Sequence, residues 1–235
     1  MDNYNYYPGT TGGNSVTSMV NSAMRQVYLK MTVGLLITAF ISLFCSASRE
    51  YMTFFVTNRW FMWVLIIAEF GLVLGIGAGI RKLSSTTATL LFYLFSVVNG
   101  LYLAPIFLVY SAASLTKTFF ITAGTFGAMT IFGYTTKQDL SRFGAILNMV
   151  LIGLVIAIVV NLFAHSSTLD WIVSIVGVFV FIGLTAWDTQ QIKTMAASFP
   201  ADQVGRLATI GALNLYLDFI NLFLFLLRFF GNSRD

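Results

Sequence analysis

The run Leu207-Ala-Thr-Ile-Gly-Ala-Leu-Asn-Leu-Tyr-Leu-Asp-Phe-Ile-Asn-Leu-Phe-Leu-Phe-Leu-Leu-Arg-Phe-Phe230 is long and apolar enough to cross a bilayer, which takes about 20 residues of helix, yet it carries an aspartate near its middle. Within it Gly211, Asn214, Asp218, Asn221, Phe225 and Arg228 recur at spacings of three and four, so a helix gathers its polar atoms on one stripe. A polar stripe on an otherwise greasy helix has to face protein or water, not lipid.

Six further apolar runs precede it, at roughly 31–47, 60–80, 87–110, 118–135, 143–164 and 171–192. The expected architecture is therefore all-α, a seven-helix transmembrane bundle over residues 26–235, preceded by a polar disordered tail over 1–25. The fourth run is diluted by Gly124, Gly127, Gly133 and several threonines, residue types common where membrane helices touch. Composition agrees: 57% of the 235 residues are apolar and only 9% are charged, against about 25% charged in soluble domains. Pro105 should kink the third span, and Gly71, Gly75 and Gly79 stack on one face of the second as a groove for a neighbouring backbone.

Counting removes several chemistries. One Cys (Cys45) and one His (His165) exclude disulfide frameworks and His/Cys zinc sites, and with them a zinc-dependent membrane hydrolase, so no enzyme activity and no bound cofactor are expected. A Schiff-base lysine needs a deep apolar position, whereas every Lys here sits at or near the end of an expected span. The net charge of +4 comes without any basic run beyond Arg81-Lys82, which argues against nucleic acid. The positive-inside rule compares Arg25, Lys30, Arg81, Lys82, Lys137, Arg142, Lys193 and Arg206 on one side with Arg49, Arg59, Lys117, Arg228 and Arg234 on the other, and places the N-terminus inside.

Three acids lie inside apolar runs: Glu69, Asp188 and Asp218. An ionised side chain at the centre of a membrane helix costs roughly 2.5–3.5 kcal/mol on insertion scales, so each needs a reason. With the sixth helix ending at Phe199 and the seventh beginning at Leu207, Asp188 and Asp218 stand at equal depth, both about 16 Å from the turn. Thr185 and Gln191 flank Asp188 on its own helix, so the two polar stripes should face each other. Two facing carboxyls in a low dielectric cannot both ionise cheaply and titrate as a unit, which makes the pair a proton sensor by construction. The same oxygens suit Ca²⁺ as a weak site, since two carboxylates fall short of the 6 to 8 ligands of a tight one. Asn214, Asn221 and Glu69 extend the polar pathway.

The stretch Ala212 to Gly231, together with Ala186-Trp-Asp-Thr-Gln-Gln-Ile192 and an acid in the second span, resembles the Bax inhibitor-1 family over nearly the whole chain after the tail. The resemblance implies a membrane protein that leaks Ca²⁺ as a transported ion in a pH-dependent way, with the last helix central in the bundle, and the short loops and single Cys fit a bacterial inner membrane. It maps the family's paired aspartates onto Asp188 and Asp218, its membrane Glu onto Glu69, and its ion-lock Arg onto Arg81. A second reading is a non-conducting regulator that binds another membrane protein, such as a membrane-bound AAA protease. The expected partners are the lipid bilayer, calcium and protons.

Overall fold

The computed structural model describes residues 11–80, 82–198, 200 and 203–232, with side chains from Val16 onward. Among these the chain is all-α: α1 (Thr11–Ala47), α2 (Arg49–Thr57), α3 (Arg59–Gly79), α4 (Ser85–Leu103), α5 (Ile106–Val109), α6 (Ala112–Thr135), α7 (Ser141–Ala164), α8 (Ser167–Ser198) and α9 (Val204–Phe230). Serines start several of them, because a hydroxyl at the N-cap satisfies an orphan backbone donor. Ser48 accepts from Tyr51 N–H, Ser84 from Thr87 N–H and Ser111 from Ser114 N–H. Pro105 interrupts the third span as expected, and the single turn of α5 carries the chain on to Tyr110.

Six helical stretches are long and apolar enough to cross a membrane: Val16–Ala47, Arg59–Gly79, Ser85–Val109, Ser141–Ala164, Ser167–Ser198 and Val204–Phe230. The expected fourth span is present as α6, whose 24 residues reach about 36 Å, but its threonines and glycines leave it less apolar than the other six. It packs on α8 and α9. That position accounts for part of the composition, since Thr118 and Thr122 are fully buried against protein.

α9 is the axis of the bundle and packs against α8, α1, α6 and α4. In its most apolar window 67% of residues are buried, against 11% in α3 and 17% in α7, so the latter two are the lipid-facing flanks. Trp63 and Phe70 on α3 and Met149 and Phe163 on α7 point outward accordingly.

Two expectations change here. The segment through residue 25 is helical from Thr11 rather than an irregular tail, with Val20, Ala23, Met24 and Val27 buried in the core at helical spacing. Residues 1–10 lie outside the described residues. The glycine stripe of α3 holds no neighbouring backbone, since a Cβ on Gly71 or Gly75 would meet nothing within 4 Å. Spacing defines a face but not what covers it, and α3 is peripheral. The close approaches fall elsewhere, above all at Gly133 on α6, where a Cβ would run into the Ala186 carbonyl of α8.

Candidate functional site

α8 and α9 are the most extensively packed pair in the bundle and run antiparallel through a short connection. Asp188 lies ten residues before the end of α8 and Asp218 fourteen after the start of α9, because α9 begins at Val204, three residues earlier than expected. The first turn of α9 therefore projects about 6 Å beyond the end of α8, and the two carboxyls still meet. Asp188 is within hydrogen-bonding reach of the Asp218 carboxyl and of the Asn214 side chain. The aspartates are 8% and 4% exposed, and Asp218 Oδ2 has no hydrogen-bond partner. Two acidic oxygens side by side need a shared proton or a cation between them, because two bare charges at this separation repel.

The residues around the pair hold it without competing for it. Thr185 and Thr189 return their hydroxyls to the carbonyls of Phe181 and Thr185, both at 2.7 Å. Gln190 secures the connection between α6 and α7, accepting from Leu140 N–H at 2.9 Å and donating to the Gln138 carbonyl at 2.8 Å. Ala186, Trp187 and Asp188 each meet a different helix. The Ala186 carbonyl lies against Gly133 of α6, the Trp187 ring against Gly144 of α7, and Asp188 meets α9.

Glu69 and Asn221 are not part of this centre. Asn221 donates to the Leu217 carbonyl of its own helix at 2.8 Å. Glu69 accepts from Asn99 Nδ2 at 2.8 Å, Asn99 Oδ1 accepts from Tyr216 OH at 3.1 Å, and Tyr216 meets the Thr38 hydroxyl. Tyr216 and Asp218 are two residues apart, hence on opposite faces of α9. The axis thus separates two polar centres, the acid pair facing α8 and the Glu69 chain facing α4 and α1. Arg81, the expected lock, lies outside the described residues.

Two cations tie down the ends of α9. Arg228 bonds Asp170 of α8 at 2.8 Å and Ser174 Oγ at 3.2 Å. His165 ends α7 in the left-handed region (φ 48°) beside this ion pair, and Asp170 is engaged by Arg228. At the other end Lys30 Nζ donates to Thr89 Oγ1 (2.9 Å), Thr209 Oγ1 (2.8 Å) and the Gly205 carbonyl (2.9 Å), so all three of its donors are used. Lys30 is therefore not at a segment end, because α1 extends nineteen residues before it. It joins α1, α4 and α9, a role that no local spacing announces. Lys30→Met is expected to lower the stability of the purified protein by about 1.5–3 kcal/mol, read as a lower thermal midpoint in detergent, while Lys82→Met at an exposed position leaves it unchanged.

Among the described residues no three His, Cys, Asp or Glu side chains converge as a metal site. Asp188 and Asp218 bring two carboxyls together beside the Asn214 amide.

An all-helical bundle of this hydropathy with an acid pair on its axis is a polytopic integral membrane protein. The chain belongs to the Bax inhibitor-1 family: the family described as "Inhibitor of apoptosis-promoting Bax1" matches residues 20–235. It is 52% identical over 214 residues to the inner membrane protein YbhL of Escherichia coli K12, covering 90% of this chain and 92% of that one. A relative in Borreliella burgdorferi is 43% identical over 217 residues, covering 92% and 94%. Protein RP147 of Rickettsia prowazekii is 41% identical over 213 residues, covering 90% of both chains.

Proposed function

We propose that this Bax inhibitor-1 family member is a passive, pH-sensitive Ca²⁺ leak of a bacterial inner membrane, with its N-terminus inside and Asp188 and Asp218 as both the proton sensor and the weak cation site. The observation that carries this reading is the meeting of two buried carboxyls on adjacent central helices, one with an unpartnered oxygen. A structural polar contact needs only Asn or Ser, without the cost of a charge in the membrane. Burial of both acids supports a closed conformation, from which a cation reaches them only after α8 moves relative to its neighbours. A proton on the pair removes the charge that attracts Ca²⁺ but also frees the helices from any cation held there. These effects oppose each other, so flux should peak at intermediate acidity.

The test is Ca²⁺ flux into liposomes containing the purified full chain across pH 5 to 8. A maximum inside that range supports the reading, and absence of flux at every pH overturns it in favour of a non-conducting regulator. Asp139, outside the spans, does not confuse the result, because hydrogen bonds from the Ser141 side chain and backbone hold its carboxyl below the usual carboxylate range. It stays ionised throughout.

Arg81 extends the same proposal. The sequence puts Arg81 just after the second apolar run, and a guanidinium on a long stem at such a position can reach below the interface toward an ionised aspartate. Arg81→Ala should then raise the leak at neutral and alkaline pH and leave the acid limb unchanged. A wild-type profile in this variant makes Arg81 an anchor of membrane orientation only.

A further inference from the structure

A cavity lies between α1 and α6, with α9 as its floor. Its volume is about 390 Å³, and Leu35, Ala39, Leu103, Phe119, Phe219 and Phe223 are among its lining residues. α1 packs on α4, α9 and α8, and α6 packs on α8 and α9, so a cleft remains between the first and sixth helices. Its rims are lipid-facing: Ala39 and Leu43 on one side and Thr116 and Phe119 on the other are exposed. In a bilayer the only apolar solvent that can fill a cleft open on that side is a lipid chain.

Three polar side chains, Thr38, Ser42 and Thr116, interrupt the apolar lining. Ser42 is 3% exposed, lines the cavity, and its Oγ has no hydrogen-bond partner. The neighbouring Thr38 hydroxyl is already engaged, donating to the Ser96 carbonyl at 2.8 Å and meeting Tyr216. Thr122 and Thr185 bond back to the carbonyl four residues earlier, whereas Ser42, like Thr118 and Thr130 on α6, does not. A buried hydroxyl without a partner is destabilising, and an acceptor entering with the ligand would satisfy it.

Depth identifies the acceptor. Ser42 is five residues from the end of α1 at Ala47, hence about 8 Å below it. The headgroup and interfacial layers together add about 10–15 Å to a ~30 Å hydrocarbon core, several Å on each side, so with the end of α1 at the outer membrane surface Ser42 falls where hydrocarbon begins. That is the level of the ester carbonyls of a phospholipid. Leu35 lies seven residues deeper along the same helix, about 10 Å, in line with a chain descending from such an ester. We propose that the α1–α6 cleft seats one acyl chain of a membrane phospholipid, with the Ser42 hydroxyl donating to its ester carbonyl.

The test places the full chain in nanodiscs of phosphatidylcholine bearing a photoactivatable diazirine midway along one acyl chain, and locates the labelled residues by mass spectrometry. Phe219 and Phe223 are only 5% and 9% exposed on the central helix, so label reaches them only from a chain inside the cleft. They are expected to be labelled alongside lipid-facing Phe44 and Phe120. Ala39→Trp, at an exposed position on the cleft rim that can take a larger side chain, should cut labelling of Phe223 about tenfold or more, equivalent to about 1.4 kcal/mol of lost occupancy, with Phe44 unchanged. Ser42→Ala should reduce phospholipid retained through detergent purification roughly two- to tenfold. Phe219 and Phe223 without label, or labelling of Phe223 indifferent to Ala39→Trp, overturns the seat. Retention indifferent to Ser42→Ala overturns the ester contact.

Discussion

Asp218→Asn is expected to flatten the pH dependence of Ca²⁺ flux between pH 5 and 8, and Asp188→Asn to do the same. Each exchange removes the like charge that makes the pair share one proton. Coupling of about 1.4 kcal/mol, the least needed for a shared site, corresponds to a tenfold change in proton occupancy. The two variants should differ in one respect. Asp188 keeps Asn214 as a second partner when Asp218 is replaced, whereas Asp218 has no partner but Asp188 and is left with a single amide. Asp188→Asn is therefore expected to be the more disruptive to cation affinity, and the double variant should fall short of the sum of the two, as for residues in one network. Parental pH profiles in both single variants would show that the carboxyls act independently.

Gly133→Val is expected to produce a large loss of stability. A Cβ at Gly133 would overlap the Ala186 carbonyl, which is backbone and has no rotamer by which to yield. Overpacking ordinarily costs about 1–3 kcal/mol and more where the obstacle is rigid, so a loss at or above the upper end is anticipated, read as a fall in the thermal midpoint. α6 and α8 must separate to accommodate it. Because Ala186 is two residues from Asp188, the surviving folded fraction should also show a displaced pH profile. Gly71→Val, with nothing within 4 Å of the added carbon, is the matched control and should leave both properties intact.

The contrast between those glycines also shows which kinds of information a linear chain carries. The acid pair was legible because both residues sit on three-and-four stripes whose distances from one turn can be counted along a regular helix. Its depth survived an error of three residues in the start of α9, since helices of this length tolerate an axial offset of one turn. The break at Pro105 was legible for a local reason, a missing N–H. The glycine stripe of α3, the partner of Glu69 and the embedding of Lys30 were not. Each depends on which helix becomes the neighbour, and the contacts concerned, Asn99 with Tyr216 or Lys30 with Gly205, join residues 117 and 175 positions apart. The polar N-terminal segment misled for a related reason: its valines and methionines are sparse by composition but fall on one helical face.

The grip on residues 186–188 has a mechanical consequence. α8 is 32 residues long, about 48 Å, and is held just past its midpoint by three different helices at once. A stiff rod clamped there can tilt but not translate. Swinging its Lys193 end away from the axis carries its Asp170 end inward, and the reverse. If α8 pivots at that grip, its two ends move as a see-saw, and distances measured from α9 to spin labels at either end should vary in opposite directions across a pH titration.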